Sequence, residues 1–342
     1  MNIKHTICYD DVLLVPQYSN IQSRKEIDIS NSLSDIEFSM PIISAPMDTV
    51  TGAVMTKTLD NKGGLGIVHR YNTIEQQVKM IKHAHRMHGA KNVAAAIGVT
   101  GDYIDRAMAL HEAGVKILCI DVAHGHHTMM RHSLEVLRNT IGTTAHIMAG
   151  NVATLEGFND LSDWGADSIR VGIGGGSICS TRIQTGHGVP TLQSVIDCSR
   201  SDRDAKIIAD GGIRTSGDIV KALAAGADFV IVGSLLAGTT QAPGEVFYQD
   251  GERYKTYRGM ASAEAQKDWR GSTSSLEGIS TSVPYKGDAA DVLENLKRGI
   301  RSGLSYTGAS NLKELRAKAK FILQSTAGLQ ESATHIQWRY DR

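Results

Sequence analysis

The chain has 342 residues, with 36 Lys plus Arg balanced by 36 Asp plus Glu, so it carries no net field to gather nucleic acid or an anionic membrane, and a small-molecule partner is favoured. That length suffices for one large domain or two ordinary ones. No stretch approaches the roughly 18 apolar residues of a membrane span, the opening MNIKHTICYDD lacks the build of a secretory signal, and Cys8, Cys119, Cys179 and Cys198 show no CxxC spacing, which predicts a cytoplasmic protein without structural zinc or disulfides.

In chain order, short apolar runs rich in β-branched residues alternate with stretches of helical periodicity. PIISAP (41–46) and GLGIVH (64–69) come first, and the second leads into helix-patterned TIEQQVKMIKHAHRMH (73–88). NVAAAIGV (92–99) precedes DYIDRAMALHEAG (102–114), KILCIDVA (116–123) precedes HTMMRHSLEVLRNT (127–140), and AHIMAGNVA (145–153) precedes TLEGFNDLSDWGA (154–166). DSIRVG (167–172) opens a long link, 173–204, that holds TLQSVIDCSR (191–200). AKIIADGG (205–212) precedes TSGDIVKALAAGA (215–227), and DFVIVGS (228–234) ends the series. Gly or Ala-Gly closes many of the helices, as C-terminal capping prefers.

Eight such beats predict an α/β fold, a (β/α)8 TIM barrel forming a single catalytic domain over 1–342. The beat breaks at 173–204, after strand six, and again from 235 to about 286, after strand eight. Barrel enzymes keep their chemistry in loops at these strand ends. The second break, rich in Gly, Ser and Thr, reads as a mobile flap over about 250–286, with a C-terminal segment over about 305–342.

Within this frame several stretches stand out. His83, His85 and His88 share an amphipathic helix and read as surface residues. Asp121 ends strand four and aims its carboxylate at the barrel mouth. Behind it His124, His126 and His127 lack a matching acidic ligand set, which argues against metal catalysis. Cys179, in GIGGGSICSTR (172–182), follows four glycines that let backbone approach a ligand, and it stands near Arg182. Such a thiol is a nucleophile if its pKa is lowered; the ordinary alternative is a flexible loop carrying an incidental cysteine. ADGGIR (209–214) and VGS (232–234) end strands seven and eight, where many barrels cradle a phosphate. Glu277 lies in the flap and suits general acid–base work, although most loop glutamates are merely solvated.

Together these stretches resemble the IMP dehydrogenase / GMP reductase family over nearly the whole chain. YDDVLLVP, SAPMDTVT, GGLGIVHR, MAGNVAT, GIGGGSICSTR, TGHGVP, ADGGIR, GSLLAGTT, YRGM and VPYKGD stand in the family's order. The resemblance implies that Cys179 attacks C2 of a purine nucleoside monophosphate. It implies that Ser177, Asp210, Gly211, Gly212, Gly233, Ser234 and Tyr257 hold the ribose phosphate, and that Met47, Gly259 and Met260 lie by the base. Asp121 matches a carboxylate at the nicotinamide side of the cofactor. The carbonyls of Gly174, Gly176 and Cys179 match a monovalent-cation site, for potassium, and GLQES (328–332) resembles a segment that completes it from a neighbouring subunit, which implies a homotetramer. Two departures are visible: Gly175 stands where proline is usual, and only 22 residues separate His69 from Asn92, too few for the CBS pair that many dehydrogenases insert there.

The family runs two reactions through one thioimidate. A dehydrogenase oxidises IMP to XMP with NAD and hydrolyses the adduct with an adjacent Arg-Tyr pair on its flap. A reductase expels ammonia from GMP and takes hydride from NADPH. The flap GMASAEAQKDWRGSTSSLEGISTSVPYKG (259–287) has no Arg-Tyr pair, its nearest neighbour being Trp269-Arg270, and LEGISTS and DVAHGH resemble reductase versions. ADGGIR, GSLLAGTT and GLQES lean toward dehydrogenases, in regions both reactions share. The expectation is therefore a GMP reductase with Thr181 and Glu277 as its proton-handling pair. The alternatives are an IMP dehydrogenase using Arg270, a purine-binding protein without turnover, and a flavin-dependent barrel enzyme.

Overall fold

The computed structural model describes residues 3–86 and 89–332. Eight parallel strands close into a barrel in chain order: β1 (Ile42–Ser44), β2 (Leu65–Val68), β3 (Val93–Ile97), β4 (Ile117–Asp121), β5 (His146–Val152), β6 (Ser168–Val171), β7 (Lys206–Asp210) and β8 (Phe229–Val232). Closure is made by β8 against β1, with Val230 opposite Ile42 and Val232 opposite Ser44. Each lies within the apolar run expected for it.

A strand buried on both faces needs apolar residues at every position, and period two divides them between two cores. Ile43, Ile67, Ala96, Ile117, Cys119, Met148, Ile208 and Ile231 fill the barrel interior. Their neighbours Ile42, Val68, Ala95, Leu118, Ile120, Ile147, Ile169 and Val230 pack outward beneath the helices. A hairpin of Asn31–Leu33 and Ile36–Phe38 plugs the N-terminal end, and Phe38 meets Phe229 edge-on at 5.6 Å. That end is sealed by packing, so ligands have access at the opposite mouth.

The outer helices are α1 (Ala53–Asn61), α2 (Ile74–Arg86), α3 (Tyr103–Glu112), α4 (Thr128–Ile141), α5 (Leu155–Asp163), α6 (Thr191–Cys198), α7 (Ser216–Ala224) and α8 (Ala289–Thr307). Thr154 and Thr215 cap α5 and α7 by accepting the amides of Gly157 and Asp218, which fixes the starts expected there. Neither α1 nor α8 was among the expected helices. The long break after β8 separates that strand from α8, its barrel partner. No helix among the described residues is long and apolar enough to cross a membrane.

The break itself is folded. Strands Phe247–Gln249, Glu252–Arg258 and Ser280–Pro284 form an antiparallel sheet, and the Ala263–Arg270 helix crosses between the last two. The space between β2 and β3 is taken up by α2. One surface expectation fails: His83 is exposed, but His85 is half-buried with Nδ1 2.7 Å from the Ala90 carbonyl. His88 and the last ten positions of the expected C-terminal segment lie outside the described residues.

Candidate active site

The glycines after β6 let two loops touch. Gly172 has φ +147°, and a Cβ there would stand 1.9 Å from the Asp210 carbonyl oxygen. Gly211 has φ +99°, and its Cβ would stand 3.1 Å from Gly175 C and Gly176 N. Side chains at either position would separate the cysteine loop from the end of β7.

From that support the cysteine loop reaches the flap. Cys179 bridges to Gly278, the Ser180 amide donates to the Glu277 carbonyl at 2.9 Å, and the Ile279 amide donates to the Ile178 carbonyl at 3.1 Å. This pairing carries Glu277 to Thr181, whose hydroxyl donates to Glu277 Oε2 at 2.8 Å. The Cys179 thiol donates to the same hydroxyl at 3.2 Å, and Ser275 Oγ donates to Glu277 Oε1 at 2.8 Å. Thiol, hydroxyl and carboxyl thus form a proton path in which each step is within reach of transfer.

The path opens on a cavity of about 390 Å³. Met47, Gly259 and Met260 line it beside Cys179, and Asp210, Gly211 and Tyr257 line its other side with Asp121, Gly174 and Gly176. Ser177, Gly212 and Ser234 instead line an adjoining cavity of about 220 Å³, which meets the first at Gly175. Gly233 lines neither, but it backs the larger cavity, where a Cβ would stand 3.1 Å from the Tyr257 hydroxyl and 3.5 Å from Met47 Sδ. Tyr257 is buried with its hydroxyl 3.4 Å from Ser177 Oγ. Burial pushes its pKa up, so the phenol remains a neutral hydrogen-bond donor.

Sequence reasoning missed the centre of the mouth. Arg170, inward-facing on β6, donates from Nη1 to Asp121 Oδ1 at 2.5 Å and from Nε and Nη2 to Asp210 Oδ2 at 3.1 and 2.8 Å. Asn151 Nδ2 donates to Asp210 Oδ2 at 2.8 Å and to the Gly172 carbonyl at 2.8 Å. Burial works against the Arg170 cation, but Asp210 and Asp121 outweigh it and lift its pKa above the ordinary arginine value. The visible signal was a lone charge within an otherwise apolar strand.

Outside this cavity, and sharing Arg70, Tyr71, Val122 and Arg270 with it, lies a cleft of about 840 Å³. Tyr71 stacks on Trp269 with centroids 4.3 Å apart and planes 14° from parallel. Arg70 and Arg270 lie over Trp269 at 5.6 and 4.5 Å. Arg258 is paired with Asp48 and Asp268, each at 2.6 Å, whereas among the described residues Arg270 has no carboxylate within ion-pair distance. Burial raises the Tyr71 pKa, while the guanidinium groups of Arg70 and Arg270 pull it down. Flat aromatic surface beside free positive charge fits a dinucleotide with anionic phosphates.

Two of the three histidines behind β4 are engaged, while His124 is exposed. His126 Nε2 lies 2.8 Å from Asp160 Oδ2, and His127 Nδ1 caps α4 by accepting the Met129 amide at 3.1 Å. The Gly174, Gly176 and Cys179 carbonyls lie on the same loop, where Gly176 accepts the Cys179 amide at 3.1 Å and, like any carbonyl, keeps a second lone pair that could serve a cation.

Residues 6–335 match a family model described as the IMP dehydrogenase / GMP reductase domain. The chain is 33% identical to inosine-5′-monophosphate dehydrogenase of Nitrosopumilus maritimus, covering 98% of this chain and 99% of the relative. It is 31% identical to GMP reductase of Leishmania major, covering 96% of each. Both alignments run over 474 positions, so these relatives contain segments without a counterpart here. Among solved structures, GMP reductase of Trypanosoma brucei with a cysteine-to-alanine substitution, in complex with guanosine 5′-monophosphate, superimposes with a TM-score of 0.93 at 30% identity, covering 97% of this chain and 98% of that one.

Proposed function

Because the chain belongs to the IMP dehydrogenase / GMP reductase family, whose members are oxidoreductases, we propose that it is a GMP reductase, converting GMP to IMP and ammonia with NADPH. The observation that carries this reading is the contact chain from Cys179 through Thr181 to Glu277, at 3.2 and 2.8 Å. The thiol passes its proton through Thr181 to Glu277, and the sulfur adds to C2 of the purine. Glu277 returns a proton by the same path to the 2-amino group, which leaves as ammonia and gives the Cys179 thioimidate. NADPH, when bound, supplies the hydride that C2 then receives. The Cys179 thiolate is the final leaving group, and IMP is released.

Asp210 and the backbone at Gly211, Gly212, Gly233 and Ser234 hold the ribose phosphate with Ser177 and Tyr257. Met47, Gly259 and Met260 flank the base. The Tyr71–Trp269 stack with Arg70 and Arg270 holds the dinucleotide, and Asp121 orients its nicotinamide end. The carbonyls of Gly174, Gly176 and Cys179 would hold potassium, which when bound would stiffen the cysteine loop, and GLQES of a second copy would complete the ligand set in a cytoplasmic homotetramer. The Trypanosoma brucei structure with guanosine 5′-monophosphate supports a purine nucleoside monophosphate as substrate.

One observation favours a second reading. Arg270 and Tyr71, distant in sequence, together bring a guanidinium to a phenol at the edge of the cavity, the pairing a dehydrogenase needs to activate water. The alternative is oxidation of IMP to XMP with NAD. Absorbance at 340 nm separates the two. It falls with GMP plus NADPH as IMP appears under the reductase reading, and it rises with IMP plus NAD under the other. A protein that changes neither signal while binding GMP would be a purine-binding protein without turnover.

A further inference from the structure

Period two on the barrel strands puts Asp121, Arg170 and Asp210 at successive inward positions above Cys119, Ser168 and Ile208, on β4, β6 and β7. One guanidinium therefore joins two carboxylates across the mouth, through the three bonds of 2.5, 2.8 and 3.1 Å. Among the described residues Asp210 takes its hydrogen bonds on Oδ2 alone, from Arg170 and Asn151, so Oδ1 is the oxygen left for a ligand. On the other side Arg70 Nε stands 3.7 Å from Asp121 Oδ2, and the Arg70 guanidinium lies 5.4 Å from the Tyr71 ring centroid. A contiguous row of charges, two positive and two negative, thus runs from the nucleotide cavity to the outer cleft.

Two physical features make that row a connection and not a coincidence. A guanidinium is planar and holds its donors in a fixed fork, so a carboxylate that moves on one edge carries the other with it. The Arg170 side chain is 8% exposed, and its partners Asp121 and Asp210 are 18% and 16% exposed, so water and salt screen the contacts weakly.

We infer that Arg170 is a positioning residue that couples the two sites: a ligand bonded to Asp210 sets Asp121 for the ligand of the outer cleft, and the reverse. The coupling rests on the reading of Asp210 as the ribose contact and Asp121 as the cofactor contact. By linkage the two ligands raise each other's affinity by one common factor.

The test is calorimetry on the full chain with GMP and with the 2′-phosphate of ADP-ribose. That fragment keeps the ribose of the nicotinamide end, which Asp121 faces on this reading, but lacks the nicotinamide ring and cannot stack on the purine, so direct contact between ligands does not supply the effect. In the wild type each ligand should tighten the other by about fivefold or more. In Arg170→Lys, which keeps the charge but loses the fork, both should bind and the factor should fall to about one. A factor of one in the wild type, or a wild-type factor in Arg170→Lys, overturns the coupling. Should that variant not fold, the Nε–Hε resonance of Arg170 in the wild type answers instead: it should move on addition of the fragment alone, and an unmoved signal overturns the coupling. Absence of GMP binding to the wild type would overturn the nucleotide reading itself and the coupling with it, a failure distinct from a factor of one.

Discussion

Thr181 Oγ1 donates a 2.8 Å hydrogen bond to Glu277 Oε2, so its lone pairs are free to face the Cys179 thiol 3.2 Å away. A hydroxyl in this position passes protons in either direction without itself ionising. Glu277→Gln keeps the size of the side chain but cannot exchange a proton at neutral pH. Its kcat for GMP deamination should fall by about 10²- to 10⁴-fold, while calorimetry should show GMP affinity near that of the wild type. Wild-type turnover by this variant would remove Glu277 from the chemistry.

Cys179 lies half-buried on the wall of the nucleotide cavity, and the other partly accessible thiol, Cys8, lines the adjoining one. Iodoacetamide should therefore label Cys179, and saturating GMP should protect it, as read by peptide mass spectrometry. Cys179→Ala should bind GMP and show no NADPH oxidation. Labelling at Cys179 that GMP leaves unchanged would place the nucleotide elsewhere.

The barrel was legible because its strands are buried on both faces and write continuous apolar runs, which turn-forming residues punctuate. α8 also carries a readable pattern, with Leu293, Leu296, Ile300 and Leu304 buried and Asp288 as its cap, but the long break after β8 hid its place in the repeat. α1 is short and polar at several positions, and its burial rests on Met55, Thr56 and Leu59 alone. In the site, Cys179 and Glu277 were legible through resemblance. The resemblance also implied that Thr181 and Glu277 work beside Cys179, but no local pattern encodes the pairing between residues 179 and 278 that brings them together. Arg170 could have been found, since an arginine on the inward face of a barrel strand must be paired.

Trp269 and Arg270 separate binding from chemistry. Loss of an aromatic stacking partner costs about 1–3 kcal/mol per base, so Trp269→Ala should raise the KM for the dinucleotide by roughly 5- to 150-fold and leave GMP affinity near wild type. Arg270→Ala should do the same under the reductase reading. Under the dehydrogenase reading it should instead give a burst of NADH with IMP and NAD, one per site, followed by slow release of XMP. A rapid-mixing trace at 340 nm distinguishes these outcomes.

His146 predicts a pH dependence of stability far from the catalytic mouth. Its Nδ1 lies 2.8 Å from Ser34 Oγ, at the turn of the hairpin that plugs the barrel, and its Nε2 lies 2.8 Å from Ser168 Oγ. Burial pushes its pKa down to about 4, against the opposing charge of Asp167, while the unfolded chain should titrate near 6.5. Above about pH 6.5 both states hold the neutral ring, and the group contributes no slope. Between about pH 6.5 and 4 the unfolded chain takes up a proton that the folded chain refuses, so stability falls as the pH is lowered, by roughly 3 kcal/mol in all. Below about pH 4 both states are protonated and the slope vanishes. Urea unfolding at pH 7.5 and 4.5 should therefore show a larger loss in the wild type than in His146→Asn, although the variant starts lower at pH 7.5 because its ring hydrogen bonds are gone. Equal losses in the two proteins would mean that the buried ring accepts a proton as readily as a solvated one.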